Sequence, residues 1–195
     1  MSDQPPNLNR FAALSDGIFA VIITIMVLDL RPPEDHDLQA LLHLWPEVTS
    51  YTVSYLFIAV VWLNHHHVFG YARKLTNVLA FSNFANLFAI SLIPFSTAWL
   101  SSSRVSAFPQ TVYSAVFLLV ELTYILLMHE TFRQGFSSPA QRLTQRVHFI
   151  RAWVMVAIFA LAAFAVFLPP GVRLALTASF LAIHVRADLV RKTFT

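Results

Sequence analysis

Residues 10–30 have the sequence RFAALSDGIFAVIITIMVLDL, an apolar stretch interrupted by Asp16 and closed by Asp29. A helix needs about 20 mostly apolar residues to cross the hydrocarbon core of a bilayer, and this stretch has that length. Its apolar part is too long for a signal peptide, has no small-residue cleavage site and follows polar residues. The stretch therefore predicts a transmembrane helix that remains in the protein.

The composition of the whole chain indicates the same class. Of 195 residues, 57% are hydrophobic and 12% are charged, with a mean hydropathy of +0.63. Soluble domains carry about 25% charged residues, so a water-soluble enzyme is disfavoured. The chain has no cysteine, which excludes disulfide scaffolds, thiolate metal sites and cysteine nucleophiles. An all-α polytopic membrane protein is the predicted fold class.

Six apolar stretches are long enough, or nearly long enough, to span a membrane. They predict one six-helix transmembrane domain over residues 1–195, with spans at about 11–30, 48–69, 78–100, 111–132, 152–168 and 172–187. The connectors contain proline pairs and Pro-Gly, which break helices because proline lacks an amide proton. The sixth span is the weakest, since it is short and has Arg173 and His184 near its ends.

The distribution of basic residues predicts the orientation. With six spans both termini lie on one side, and the opposite side then holds Arg31, Arg104 and Arg173 out of 13 lysines and arginines. Short cytoplasmic loops carry the excess of Lys and Arg. Both termini are therefore predicted to lie in the cytoplasm, with the protein in the cell's inner (plasma) membrane. The net charge of +3 reflects this topology and gives no reason to expect nucleic acid as a partner.

Asp16 is an ionisable residue more than one turn inside the first span. A charge at the bilayer centre costs about 2.5–3.5 kcal/mol on insertion scales, so such residues mark candidate functional sites. Two interpretations remain open: a polar pair that helps helices associate, or a buried network beside a pathway. Candidate partners at a similar depth are polar residues of the second and third spans, namely Trp62, Asn64, His65, His66, His67, Asn77, Asn83 and Asn86.

Helical periodicity divides the first span into two faces. At about 100° per residue, one stripe is small and branched. It consists of Gly17, Val21, Thr24, Ile25 and Leu28. The opposite stripe consists of Ala12, Asp16, Phe19, Ile23 and Leu30. If one of them faces a pore, the small and branched stripe is the better candidate, and Asp16 then points back into its own subunit.

Other chemistries are disfavoured. His65, His66 and His67 are consecutive, and neighbours on a helix point about 100° apart, so they cannot chelate one metal ion together. Hydrogen bonding or pH sensing is the preferred role for these histidines. The sequence has no nucleophile elbow and no glycine-rich phosphate or nucleotide motif, which predicts no catalytic residues, no cofactor and no enzyme. Its four glycines are too dispersed for a carbonyl selectivity filter.

Several segments resemble the endosomal and lysosomal potassium channel family (transmembrane protein 175), in its bacterial branch. Arg10, Leu14-Ser15-Asp16, Phe19-Ala20, Thr24 and Val27-Leu28-Asp29-Leu30 match its first-helix signature, with Leu14 in place of the usual phenylalanine. Trp62-Leu63-Asn64-His65-His66 and the residues from Asn83 to Thr97 resemble its second and third helices. The resemblance covers residues 10–100 and is mainly hydropathic beyond 110.

The resemblance implies a potassium-permeable leak channel built as a homotetramer, with four first helices lining the pore. Rings of Val21, Ile25 and Leu28 would form a hydrophobic constriction, and Thr24 matches the hydroxyl residue implicated in cation selectivity. Arg10, Ser15 and Asp16 match the network that braces the first helix. Potassium is the permeating ion, and no resident metal is implied. A modest preference for potassium over sodium is expected, because the larger ion loses its water more easily.

Asp29 lies at the outer end of the first span, followed by Glu34, Asp35 and Asp37. Four copies of these acids would make an outer vestibule attractive to cations, or they would simply solvate an outside loop. Two other functions remain as alternatives. A secondary transporter would need internal repeats and interrupted helices. A non-conducting membrane assembly protein would explain the hydrophobicity but not the polar first helix.

Overall fold

The fold was determined as a computed structural model that describes residues 6–134 and 139–181, and every regular element in those ranges is helical. The helices are α1 (Pro6–Ile25), continued by a 3-10 turn (Met26–Asp29), α2 (Leu38–His43), α3 (Trp45–Phe69), α4 (Asn77–Ser91), α5 (Ile93–Ser102), α6 (Ala107–Arg133), α7 (Pro139–Phe164) and α8 (Pro170–Ala178). The predicted all-α fold class is confirmed.

Five segments are long and apolar enough to cross a membrane. They are Asn7–Asp29, Trp45–Phe69, Asn77–Ser102, Ala107–Arg133 and Gln145–Phe164. The protein is therefore a multi-pass membrane protein. The predicted sixth span, 172–187, coincides with α8 only in part, because residues 182–195, with His184 among them, lie outside the described ranges. The count of six spans stays a prediction.

Three local features differ from the sequence predictions. The first helix is not regular to Leu30, since its α-helical part ends at Ile25 and a 3-10 turn follows. The segment predicted as one helix over 78–100 is interrupted at Leu92, because Pro94 has no N–H to donate to the preceding turn. The loop between the first and second spans contains α2, which was not predicted; the Asp37 carboxylate caps it by accepting from the Ala40 N–H at 2.7 Å.

The core forms around α6, which packs against α3, α4, α5, α7 and α8. At its centre the rings of Phe57 and Phe117 stack at 3.9 Å, and the edge of Phe159 meets both at 5.6 Å. Such aromatic contacts fix the angles between helices because large rings tolerate few arrangements. The same hydrophobic core includes Phe19, Ile22 and Met26 of α1.

The first helix lies at the edge of the bundle. Of its most apolar window only 22% is buried, compared with 50% for α6. It rests on α3 and α4 through one face, and its other face is exposed among the residues that the structure describes. The edge position of α1 decides which of its side chains reach a candidate pore.

Candidate functional site

The face of α1 that carries the small and branched stripe points away from the subunit. Val21 is 58% exposed, Ile25 44% and Leu28 76%, and Gly17 and Thr24 are exposed as well. The structure thus places all five residues of the stripe on one uncovered surface. We call this surface the α1 stripe.

The buried face of α1 is formed by Ser15, Phe19, Ile22 and Met26. The sequence predicted a different opposite face, of which Phe19 is buried while Ala12, Asp16, Ile23 and Leu30 are only half-buried. The two sets differ by about 60° around the helix axis at 100° per residue. The rotation follows from packing, because α3 and α4 both press on α1 and its contact face lies between them.

The hydroxyl of Thr24 is bonded within its own helix. Its Oγ1 lies 2.8 Å from the Ala20 carbonyl oxygen and 2.9 Å from that of Val21. A hydroxyl has one hydrogen to donate and two lone pairs that accept. Because the hydrogen points back to the helix, the outward side of the Thr24 oxygen offers lone pairs only. Such an oxygen can coordinate a cation and has nothing to donate to an anion.

Leu28 stands on the 3-10 turn, where each residue advances about 120° instead of 100°. Its direction relative to Ile25 therefore differs by about 60° from that of a regular helix. It remains the most exposed of the three apolar stripe residues, at 76%. Leu28 still lies on the uncovered surface, but its position in the stripe is displaced around the helix axis.

A buried chain of hydrogen bonds joins α1, α4 and α3. Asn83 Nδ2 donates to Ser15 Oγ at 2.8 Å, and Asn83 Oδ1 lies 2.7 Å from His65 Nε2. An amide oxygen only accepts, so with this amide orientation His65 Nε2 carries the hydrogen. Ser15 and Asn83 are fully buried and His65 is 2% exposed. The chain fixes the rotation of α1, because only Ser15 on that face can meet Asn83.

Asp16 makes a separate contact with the adjacent part of α3. Its Oδ1 accepts from Trp62 Nε1 at 2.9 Å, and the Trp62 ring lies 5.9 Å from the ring of His66. Asp16 is only half-buried, so this contact is at the edge of the subunit. The structure places Ser15, rather than Asp16, in the buried chain with His65 and Asn83.

Two other residues proposed for the first-helix network lie elsewhere. Asn86 Nδ2 donates to the Val120 carbonyl and to Thr123 Oγ1, both at 3.1 Å, and so joins α4 to α6. Arg10 is exposed on the first turns of α1 and, within the described residues, is not a member of the Ser15–Asn83–His65 chain. Asn86 was grouped with Asp16 by its depth and Arg10 by its depth and the family resemblance, and neither criterion determines the facing direction.

The Asp29 end of the first span opens on a cavity of about 760 Å³. Asp29, Glu34 and Glu47 line it together with Arg31, so acids outnumber bases there. Asp37, which the sequence grouped with these acids, is instead the cap of α2. Among the residues that the structure describes, no group of three or more His, Asp or Glu side chains is arranged to hold a metal ion.

Two buried ionisable residues were missed by the sequence interpretation. Glu121 is 7% exposed in the middle of α6, where a carboxylate inside an apolar run was the available signal. Arg173 is fully buried although it was placed near a helix end. Its guanidinium donates to the carbonyls of Ala162 and Ala163 at 2.7 and 2.9 Å, and also to Ala107 O and Thr111 Oγ1. It clamps α8 to the ends of α6 and α7.

Comparison with known proteins places this geometry in a family. The family model described as "Endosomal/lysosomal potassium channel TMEM175" matches residues 10–94. A potassium channel of Streptomyces collinus is 34% identical over 150 residues, covering 70% of this chain and 73% of the relative. A potassium channel of Chryseobacterium sp. is 32% identical over 140 residues, covering 71% of each chain. The chain belongs to the TMEM175 family.

The similarity extends to the three-dimensional structure. The crystal structure of a lysosomal potassium-selective channel TMEM175 homolog from Chamaesiphon minutus matches with a TM-score of 0.78 at 22% identity, covering 92% of this chain and 98% of that chain. The shared fold extends well beyond residue 94, where the TMEM175 family model stops matching. The chain is thus a TMEM175-family membrane protein, and its family is one of ion channels, not of enzymes.

Proposed function

We propose that this protein is a potassium-permeable cation channel with a modest preference for potassium over sodium. Four copies of a single six-helix subunit would surround a pore lined by α1. One observation carries the proposal: the α1 stripe is left uncovered by a subunit that fully buries Ser15 on the other face of the same helix. The named function of the bacterial relatives, potassium channel, supports the choice of ion.

Val21, Ile25 and Leu28 would form the narrow part of the pore. A ring of apolar side chains excludes water when it is narrow, and an ion cannot pass a dry ring without losing its hydration shell. A slightly wider ring admits a partly hydrated cation. Potassium loses water at a lower cost than sodium, so selectivity of this kind favours potassium without a carbonyl filter.

Thr24 would act as the selectivity residue beside this constriction. Its hydrogen is bonded to its own helix, so four copies would present one ring of four oxygens, with their lone pairs toward the axis. Oxygen lone pairs replace part of the hydration shell of a cation and repel an anion. Thr24 would therefore contribute to cation preference through coordination rather than through charge.

Asp29 would attract cations to the outer vestibule, helped by Glu34 and Glu47, which line the same cavity. The Ser15–Asn83–His65 chain and the Asp16–Trp62 bond would brace α1 against α3 and α4. Arg10, His66 and Asn86 would belong to the wider polar layer at this depth. The Ser15–Asn83–His65 chain and the Asp16–Trp62 bond would keep the α1 stripe facing the pore axis.

The protein would lie in the plasma membrane with both termini in the cytoplasm, as the excess of Lys and Arg on that side indicates. Its partners would be three further copies of the same chain and the lipid bilayer. Neither a cofactor nor a nucleic acid has a role in this proposal, and potassium passes through without residing as a structural ion.

The test is ion flux through purified protein in liposomes under a potassium gradient and then a sodium gradient. We expect potassium flux that exceeds sodium flux and needs no coupled ion. Ile25→Ser and Leu28→Ser should raise the flux and reduce the potassium preference. The matched control is Leu126→Ser, on an equally uncovered leucine of α6 (57% exposed), which should change neither.

Three results would contradict the proposal. Potassium movement that requires a second ion would indicate a secondary transporter. Unchanged flux in both the Ile25 and the Leu28 variants would remove the α1 stripe from the pore. Absence of flux in a sample shown to be tetrameric would favour the non-conducting assembly protein.

A further inference from the structure

A basic cavity lies at the end of the bundle opposite Asp29. It has a volume of about 510 Å³ between the α3–α4 loop and the end of α6. Three cationic side chains line it, those of Arg73, Lys74 and Arg133, together with the carboxylate Glu130. We call it the basic cavity.

The floor of the basic cavity is held rigidly by Gln134. Its Oε1 accepts from the backbone N–H groups of Arg73 and Lys74 at 2.7 and 3.0 Å, and its Nε2 donates to the Lys74 carbonyl at 3.0 Å. Three hydrogen bonds from one side chain fix the loop backbone, so the side chains of Arg73 and Lys74 project from a preorganised base. Preorganisation lowers the entropy cost of binding a ligand.

The charge of the basic cavity is positive. Glu130 is the one acidic residue lining it among the described residues, and Glu130 is engaged by Arg133, with Nη1 at 3.0 Å from Oε1. His129 Nδ1 also lies 3.4 Å from the same oxygen. Three cations against one carboxylate leave a net excess of two positive charges, and this excess favours an anion.

The position of the basic cavity relative to the membrane indicates which kind of anion it can bind. Three spans each have one end here. The α3 span ends at Phe69, the α4–α5 span begins at Asn77, and the α6 span ends at Arg133. The loop thus lies at the boundary of the hydrocarbon core, the level at which lipid phosphates lie. It is also on the side predicted to carry most Lys and Arg. A basic pocket between helix ends on that side suits an anionic lipid headgroup.

An apolar path for acyl chains begins directly at the basic cavity. Val78 lines it and is 55% exposed, and Phe81, one turn further along α4, is 74% exposed. Residues three apart lie on the same side of a helix. A phosphate in the cavity would therefore have its glycerol and acyl chains over exposed apolar side chains, which a free phosphate ion would not use.

From these observations we propose that the basic cavity binds the phosphate of an anionic phospholipid, with phosphatidylglycerol as the probe class. Arg73 and Lys74 supply the charge, the bound Gln134 holds them in place, and the Val78–Phe81 surface takes the acyl chain. The site is separate from the α1 stripe, so the proposal does not depend on ion conduction.

The experiment measures lipid retention by the assembled, delipidated protein in detergent, using native mass spectrometry with phosphatidylglycerol and neutral phosphatidylethanolamine. The test variant is the double substitution Arg73→Gln/Lys74→Gln, with Lys74→Gln alone as a milder version. The matched control is Arg142→Gln/Arg146→Gln, which removes the same charge from exposed positions on the neighbouring α7. Elution as an intact assembly establishes that each variant is folded.

We expect phosphatidylglycerol to be retained in preference to phosphatidylethanolamine. Each cation near an anionic headgroup contributes about a fivefold change in affinity, so the double variant should lose on the order of tenfold or more. Lys74→Gln should lose about a few-fold, and the α7 control should bind as the native protein does.

Four results would overturn the proposal. Equal losses in the test and control doubles would indicate general attraction to a basic surface. No loss in either double, or equal retention of both lipids, would mean that the basic cavity holds no anionic headgroup. Displacement of the lipid by millimolar inorganic phosphate as effectively as by a short-chain phosphatidylglycerol would assign the site to soluble phosphate instead.

Discussion

Replacing Asn83 by leucine removes the central member of the buried chain while keeping an apolar side chain of similar size in α4. Two interhelical hydrogen bonds are lost, to Ser15 and to His65. Such bonds in membrane proteins contribute about 0.6 kcal/mol on average and at most about 1.7 kcal/mol. The expected loss of unfolding free energy is therefore about 1–3 kcal/mol. Ser15 keeps its bond to the Phe11 carbonyl, whereas the Nε2–H of His65 is left buried and unpaired.

Asn86→Leu is the matched control, because Asn86 is equally buried on the same helix and also donates two hydrogen bonds. Those bonds go to α6, and the Asn86 Oδ1 has no partner within the described residues, so leucine removes one unsatisfied atom. The loss of stability should be smaller than for Asn83→Leu. The important difference is functional. Only Asn83→Leu removes the hydrogen bonds that hold α1 at its rotational position about the helix axis.

The assay combines unfolding in mixed micelles with potassium and sodium flux in liposomes for both variants. Asn83→Leu should lower stability and change the ratio of potassium to sodium flux. Asn86→Leu should lower stability slightly and leave the ratio unchanged. An equal change of the ratio in both variants, or none in Asn83→Leu, would refute the claim that the Ser15–Asn83–His65 chain orients the pore face.

Further predictions concern the two faces of α1 and the clamp at α8. Thr24→Val keeps the shape but removes the oxygen, so the potassium-to-sodium flux ratio should fall toward one while the tetramer persists; an unchanged ratio would contradict the selectivity role. Asp16→Leu loses the bond to Trp62 and should reduce the tetrameric fraction on size-exclusion chromatography more than it alters selectivity. An intact tetramer with altered selectivity would show that Asp16 faces the pathway. Arg173→Met removes four hydrogen bonds from a buried guanidinium and should lower the free energy of unfolding by about 2–3 kcal/mol, with Arg173→Lys recovering part of it. Equal thermal stability of Arg173→Met and the native protein would show that the clamp is dispensable.

The spans and the exposed stripe follow from the sequence because both depend on simple periodicities. Hydrophobic length locates the spans, and a turn of about 3.6 residues places Val21 and Ile25 on one surface. Both are uncovered in the structure. Where the helix departs from that period the prediction loses accuracy, as at Leu28, which stands on a 3-10 turn. Pro94 is present in the sequence, but residues 78–100 were predicted as one continuous helix, so the break before this proline was missed.

Hydrophobic length and helical periodicity could not predict which polar side chains form hydrogen bonds with one another. Ser15 and Asp16 have the same depth to within one residue and differ by about 100° in direction. Which of them meets Asn83 depends on how α3 and α4 press on α1, and that is a property of packing between helices distant in sequence. Arg173 shows the same limit, because three of its four acceptors are backbone carbonyls of α6 and α7, which no side-chain motif predicts.

The polar atoms of α1 obey one rule on both of its faces. In hydrocarbon every donor must be satisfied within the protein, since no water is available to accept its hydrogen. On the buried face Ser15 Oγ lies 3.3 Å from the Phe11 carbonyl and accepts from Asn83. On the exposed face Thr24 donates to its own helix. Only acceptor lone pairs are then left on the outward surface. From Gly17 to Leu28, four such helices around an axis would present acceptors and apolar groups but no donors, and this surface favours the passage of a cation over that of an anion before any charged residue is considered.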